Sequence, residues 1–388
     1  MSDSKIRYGA LTGLVVVTCL GSFGQITMAT LAGIMGSRLS PAPELATLPV
    51  TVGIIGIAAA SWPLALARKR FGDRLVFAAV LLWAALGGII QAAAISEGSF
   101  VVFLCGCFML GNNMAMVAQY RFAATELVPY SYISRAVSFI MVGTLLAALI
   151  APSVALLNRN LFEIDFAGSF AALSGVFIIA AILVAFLPLA TSVKFRDKQA
   201  TASSISTLLA DKDIQLAIVA AAAGYGVMSL IMTATPISMH VMNGHSVEAT
   251  AGTIRLHILA MFTPSLFSGW LIAKLGLRRM LWAGILLQLT CIGIAIGGND
   301  VWHYRAALIM LGIGWNLLYV GGTTLLARRI HGSEGVRMQG INEFVVFGTM
   351  ALSSLSAGGL LYSVGWEWTN LAALALLMLI VISLLRSR

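Results

Sequence analysis

The chain has 388 residues, 59% hydrophobic and only 10% charged, with a mean hydropathy of +0.94 and a formal net charge of +9. A soluble domain carries about a quarter charged residues, so this composition excludes a water-exposed globular surface. It also excludes a nucleic-acid binder, because the basic residues do not gather in one segment but recur between apolar stretches.

Spanning a bilayer takes about 20 apolar residues. In chain order, charges and turn residues mark off candidate spans near 9–35, 45–67, 75–96, 99–122, 134–157, 167–189, 214–242, 251–273, 280–298, 304–327, 338–363 and 369–385. Each is expected to be helical, because backbone groups in lipid must bond within their own segment. The first span follows Lys5 and Arg7 and runs to about Ile34, too long for a signal-peptide core, and reads as an uncleaved helix. Cys19, Cys105, Cys107 and Cys291 all fall inside apolar segments and imply no disulfide framework. Cys105-Gly106-Cys107, flanked by Leu104 and Phe108, reads as packing rather than as a metal pair.

With twelve spans, twenty Lys and Arg residues fall on one side, among them Lys5, Arg68, Arg121, Lys194, Arg278 and Arg388. Only Arg38, Arg159, Arg255 and Arg305 fall on the other. The positive-inside rule then places both termini in the cytoplasm of a cell whose inner membrane holds the chain. The longest polar connection, 191–213, holds Lys194, Arg196, Asp197 and Lys198 and reads as a solvated linker. It divides an N-terminal six-helix half, 1–190, from a C-terminal half, 214–388.

The halves also match in detail. Ala65-x3-Lys69-Arg70-Phe71-Gly72-Asp73-Arg74 follows the second span, and Gly269-x3-Ala273-Lys274-Leu275-Gly276-Leu277-Arg278 follows the eighth. Gly111-Asn112-Asn113 in the fourth has a counterpart in Gly314-Trp315-Asn316 in the tenth. These segments resemble the Gly-x-x-x-Asp-Arg-x-Gly-Arg signature of the major facilitator superfamily. The resemblance implies an all-α fold of two similar six-helix halves, with alternating access to a site near the midplane. It departs at the acidic position, where Lys69 and Ala273 stand, so the salt bridge associated with that acid is not implied.

No G-x-x-x-x-G-K-[ST], H-E-x-x-H or Cys-x-x-Cys occurs, so neither ATP hydrolysis nor a catalytic metal is expected, and the chain reads as a transporter rather than an enzyme. Function is then sought among soft or polar residues inside spans, which are costly there. Met228 and Met232 in the seventh helix, and His257 and Met261 in the eighth, are each i, i+4 pairs on one helix face. With the seventh helix running outward and the eighth inward, Met232 and Met261 are expected at similar depth, His257 outside them and Met228 inside. Thioether and imidazole suit Cu(I), whereas hard ions want carboxylates that neither segment offers. Methionine is also an ordinary gap filler, so it is His257 that lifts the pattern above packing.

The M-x-x-x-M and H-x-x-x-M pair is similar to that of the CcoA-type copper importers of the same superfamily. The resemblance implies copper as transported substrate, no permanently bound cofactor, supply to cbb3-type cytochrome oxidase, exchange with copper chaperones, and function as a monomer in the bilayer. A neighbouring branch resembles riboflavin importers and generally lacks the pair. Trp62, Tyr120, Trp315 and Tyr319 would be the residues to stack a planar solute. A copper sensor or assembly scaffold without transport is a third reading. Met239, His240, Met242 and His245, at the outer end of the seventh helix, are candidates for capture of the ion. Asn112, Asn113 and Asn316 are candidates for cavity lining or for bonds between helices, and Glu343 for proton coupling. A reporter fused after Arg388 is expected to be active only as a cytoplasmic fusion; activity of a periplasmic reporter there would mean a miscounted helix.

Overall fold

The computed structural model describes residues 7–129, 132–189, 205–330 and 332–387. Lys5, Lys194, Arg196, Asp197, Lys198 and Arg388, which carry part of the topology argument, lie outside them. The described residues are helical and contain eleven helices long and apolar enough to cross a membrane. These are α1 (Tyr8–Leu39), α2 (Leu48–Phe71), α3 (Asp73–Glu97), α4 (Phe100–Val117), α5 (Ile133–Leu157), α6 (Ala167–Phe186), α7 (Lys212–Pro236), α8 (Val247–Phe262), α9 (Leu277–Ile296), α10 (Val301–Arg329) and a last one, Gly332–Arg386. The last is two spans, since Gly365 at φ 85°, ψ 178° breaks it into α11 (332–364) and α12 (366–386). Twelve spans result, as the hydropathy pattern predicts.

Two spans are irregular where the sequence places a proline in them. The eighth ends as a helix at Phe262, passes through a 3-10 turn at Thr263–Phe267 and resumes at Ser268–Leu275. Pro264 lacks the amide proton that an unbroken helix needs. The seventh continues beyond Pro236 as a π-helical turn, Ile237–Met242. The expected linker is also shorter, because Ile205–Ala210 is helical and Asp211 caps α7 by accepting Asp213 N–H at 2.7 Å.

The chain forms two compact units, one of Met1–Pro41 with Leu48–Phe195, the other of Ala42–Thr47 with Arg196–Arg388. The short turn Pro43–Thr47, expected within the first half, instead groups with the second unit, where Thr47 Oγ1 accepts Gly358 N–H at 3.2 Å.

The units repeat their internal packing. In the first, α2 and α3 pack on α4 and α1 packs on α5. In the second, α8 and α9 pack on α10, and α7 packs on the α11–α12 segment. Lipid gives no hydrophobic drive between helices, so close backbone approach through small residues does the joining. A side chain at Gly111 on α4 would run into the Gly53 carbonyl and Gly56 of α2. One at Gly312 on α10 would meet the His257 carbonyl at 2.8 Å and Met261 N at 3.0 Å on α8. Gly72 (φ 81°) and Gly276 (φ 76°) begin α3 and α9 in the same left-handed conformation.

A buried ion pair stands in the first unit where the signature lacks its usual acid. Arg68 and Asp73, both almost fully buried, form a two-pronged bridge at 2.7 and 3.1 Å. Arg68 Nη1 also donates to Gln119 Oε1 at 3.0 Å, and the guanidinium lies 5.3 Å from the Phe77 ring. Breaking such a pair costs about 3–5 kcal/mol because a charge is stranded. The sequence gives no sign of it, since both residues sit in a charged run that reads as cytoplasmic loop.

Gly111→Ala is expected to lower stability by about 1–3 kcal/mol, as overpacking does. Gly348→Ala, with nothing within 4 Å of the added methyl, should be near neutral. Thermal unfolding of the two proteins in detergent makes the comparison.

Candidate substrate site

The four soft residues belong to the second unit, arranged around α10. Helices α7 and α8 each pack on α10 rather than extensively on each other. On one flank, Gly224 of α7 faces Leu318, and Ala217 and Ala221 face Gly322. The two helices are therefore antiparallel there, and one turn on from Gly224 sets Met228 level with Gly314, and the next sets Met232 level with Met310. On the other flank, His257 bonds Leu308, Gly312 lies against His257 and Met261, and Asn316 bonds Met261. Met232 is thus level with His257, and Met228 with Met261. This differs from the expected pairing of Met232 with Met261, because α8 begins at Val247, one turn before the start at 251 from which that depth was counted.

His257 is the most informative side chain. It is fully buried, and its Nδ1 lies 2.8 Å from the Leu308 carbonyl oxygen. A carbonyl only accepts, so Nδ1 carries the proton and the neutral ring leaves a lone pair on Nε2. That Nε2 is buried and has no partner. A metal-ligating histidine has this form: one nitrogen held by a backbone carbonyl, the other free to bind. Met228 and Met261 are buried and Met232 half-buried. Among the described residues no three His, Cys, Asp or Glu side chains converge as a metal site. A metal here would depend on methionine sulfur.

The repeat sharpens this point. Gly111 meets the Gly53 carbonyl as Gly312 meets that of His257, so Gly312 rather than Gly314 is the counterpart of Gly111, and Gly53 on α2 is the counterpart of His257 on α8. The Cβ that Gly53 lacks would lie 3.7 Å from the Cys107 carbonyl, just as His257 is bonded to that of Leu308. It would also lie 3.4 Å from Met28 Cε. The fold is therefore built with a glycine at this place in one unit and an imidazole in the other, so packing alone does not demand the imidazole.

The other candidates separate. Met239 is buried and Met242 exposed, so the two do not share one surface. His240 Nδ1 donates to the His245 carbonyl at 2.8 Å, and His245 Nε2 to that of Asn299 at 2.7 Å. These four shape the end of α7 rather than converge on one point. Asn112 donates to Gly56 O at 2.9 Å, Asn113 to Gly21 O at 2.8 Å and Asn316 to Met261 O at 2.6 Å, so all three tie helices together. Asn316 thereby fixes the backbone that carries Met261. Glu343, half-buried, is near enough for its charge to act on Tyr225. Of the proposed stacking residues, Trp62 is exposed and Tyr120 is buried against Phe77 at 4.7 Å. Trp315 and Tyr319 stack on each other at 5.2 Å, with Tyr225 edge-on to both. The sequence reading missed Tyr225 and Phe262, the latter edge-on to Trp315 at 6.2 Å. Spacing was the available signal, since Tyr225 lies two turns before Met232 on the same face.

Comparison with known proteins places this fold. A riboflavin transporter of Brucella anthropi, RfnT, is 36% identical over 99% of this chain and 97% of its own. An uncharacterized transporter of the major facilitator type from Bacillus subtilis, YddS, is 28% identical over 89% of this chain and 82% of its own. The crystal structure of the nucleoside transporter NupG superposes with a TM-score of 0.73 at 13% identity, covering 97% of this chain and 98% of that one. A bacterial homologue of the lysosomal transporter Spinster gives 0.69 at 14%, covering 98% and 93%. The chain belongs to the major facilitator superfamily. It is a multi-pass membrane transporter by descent as well as by fold. No family profile matches it.

His257→Asn keeps a donor in the place of Nδ1 and is expected to melt close to the parent. His257→Leu loses the bond to Leu308 and should be about 0.5–1.5 kcal/mol less stable. Equal losses in both would mean that the Leu308 bond does not hold the ring.

Proposed function

We propose that this transporter imports copper, as Cu(I), into the cytoplasm, with His257 Nε2 and the sulfurs of Met232, Met261 and Met228 as successive ligands. The observation that carries it is the buried, unpartnered Nε2 of His257, held in its ligating tautomer by Leu308 at a place where the first unit has glycine. Thioether and neutral imidazole bear no charge, so the ion can leave as well as arrive. The membrane potential favours entry of a monovalent cation by about 2.3 kcal/mol per 100 mV, so uptake is downhill without a coupling ion. On this reading the ion is passed to cytoplasmic chaperones and on to cbb3-type cytochrome oxidase.

A second reading is import of riboflavin or another planar organic solute. The 36% identity to the Brucella anthropi riboflavin transporter favours it, as does the ring cluster of Tyr225, Phe262, Trp315 and Tyr319. The cluster is closed on itself, with Trp315 and Tyr319 stacked at 5.2 Å and Trp315 buried, so a flat solute would first have to part these two rings.

Radiocopper and riboflavin uptake, measured side by side in cells making the protein, separates the two. Met232→Leu/Met261→Leu keeps the volume and should cost under about 1.5 kcal/mol per site, so the protein should reach the membrane. Copper uptake should fall to that of cells lacking the protein, while Met350→Leu, whose backbone carbonyl merely accepts from Ser229 at 2.9 Å, should transport normally. Normal copper uptake in the double variant at equal abundance would sink the copper reading. Riboflavin uptake by the parent that is lost in Tyr319→Ala would establish the second.

A further inference from the structure

Because the units repeat each other, the place that holds His257 in the second can be examined in the first. There the Gly53 position is faced by Met28 of α1 and by the backbone of Cys107 of α4. Met28 and Cys107 are both buried, and the Cys107 carbonyl stands where that of Leu308 stands in the second unit. The first unit thus has no imidazole at this place but does have a thioether and a thiol.

Gln91 of α3 brings the two sulfurs together. Its Nε2 donates to Cys107 Sγ at 3.3 Å and to Met28 Sδ at 3.5 Å. Its Oε1 is buried and has no partner, and the whole side chain is out of solvent. Sulfur is a weak acceptor, so this amide is poorly repaid for its burial. Gln288 of α9, the buried glutamine that packs on Gly314 in the second unit, likewise has a buried Oε1 without a partner, but it gives its Nε2 to the Gly224 carbonyl at 3.2 Å, a proper acceptor. What sets Gln91 apart is therefore its donor, which is directed at two sulfurs rather than at an oxygen.

We propose that Met28 and Cys107 form a second soft-cation site, for Cu(I), with Gln91 as its supporting donor; the proposal rests on reading the chain as a copper importer. The arriving Cu(I) forms a bond to Cys107 Sγ as the S–H bond gives up its proton to water, and Met28 Sδ completes the coordination. No electron is transferred, and the loaded site is neutral. Thiolate rather than thiol is the ligand, so the Gln91 N–H then faces a charged acceptor and its bond strengthens. Two sulfur ligands match the softness of Cu(I). Each unit then carries a soft site of its own, one built on thiolate and thioether, the other on imidazole and thioether.

The test is Cu(I) titration of the purified full-length protein in detergent, anaerobically, against a chromogenic Cu(I) chelator. The parent is expected to hold two equivalents. Met28→Leu/Cys107→Ser should hold one, with nitrogen in its X-ray absorption shell; Met232→Leu/His257→Leu should also hold one, with sulfur alone. Met28→Leu by itself, which conserves volume, should weaken the sulfur-only equivalent, so the result does not hang on how the hydroxyl introduced by Cys107→Ser packs. A parent that holds a single equivalent, lost with Met232 and His257 and untouched by Met28→Leu/Cys107→Ser, would overturn this site and leave the copper reading standing. A parent that binds no Cu(I) would overturn both.

Discussion

The close approach of α8 and α10 through Gly312 is the contact on which the rest of the candidate site depends. Without a side chain at Gly312, the backbone of α8 at His257 and Met261 lies directly on α10. Only at that separation can the His257 ring reach across to the Leu308 carbonyl and Asn316 reach back to that of Met261. A helix in lipid gains little from burying apolar surface against another helix, so such contacts and the interhelical bonds they permit hold the bundle together. The same contact therefore both packs the unit and orients the candidate ligands.

Duplication makes this a controlled comparison. In the first unit Gly111 joins α4 to α2 in the same way, and Asn112 reaches Gly56 across the joint. What differs is what the joint presents. The second unit presents an imidazole whose free nitrogen is buried without a partner; the first presents glycine, with Met28 and Cys107 gathered around Gln91. Departures from an internal repeat are where function separates from packing, because the repeat itself shows what packing requires. Arg68 and Asp73 are a similar departure, supplying a buried ion pair where the superfamily signature expects a different acid.

Copper and a flat organic solute make opposite demands on the second unit. A soft cation needs few lone pairs at fixed positions and no large opening, whereas a planar solute needs faces to lie against. The ring cluster of Tyr225, Trp315 and Tyr319 is packed on itself, and both the Trp315 Nε1 within it and the His257 Nε2 are buried without a partner. The 36% identity to a riboflavin transporter speaks for the flat solute, and the free nitrogen of His257 is what speaks for a cation.

The sequence by itself determined the class, the twelve spans and the candidate residues. Lipid leaves the backbone one way to satisfy its hydrogen bonds, so hydropathy and the distribution of Lys and Arg are enough to read the architecture. The i, i+4 spacing likewise fixes which side chains share a helix face, as with Met228 and Met232. Only the tertiary structure decided that Met232 is level with His257, that the asparagines serve as ties between helices, and that Cys107 belongs with Met28 rather than with Cys105. These depend on the register between helices, and register is set by glycine contacts such as those at Gly111 and Gly312, far from the residues in question along the chain. The tautomer of His257 is of the same kind, because the carbonyl that fixes it lies 51 residues away on another helix.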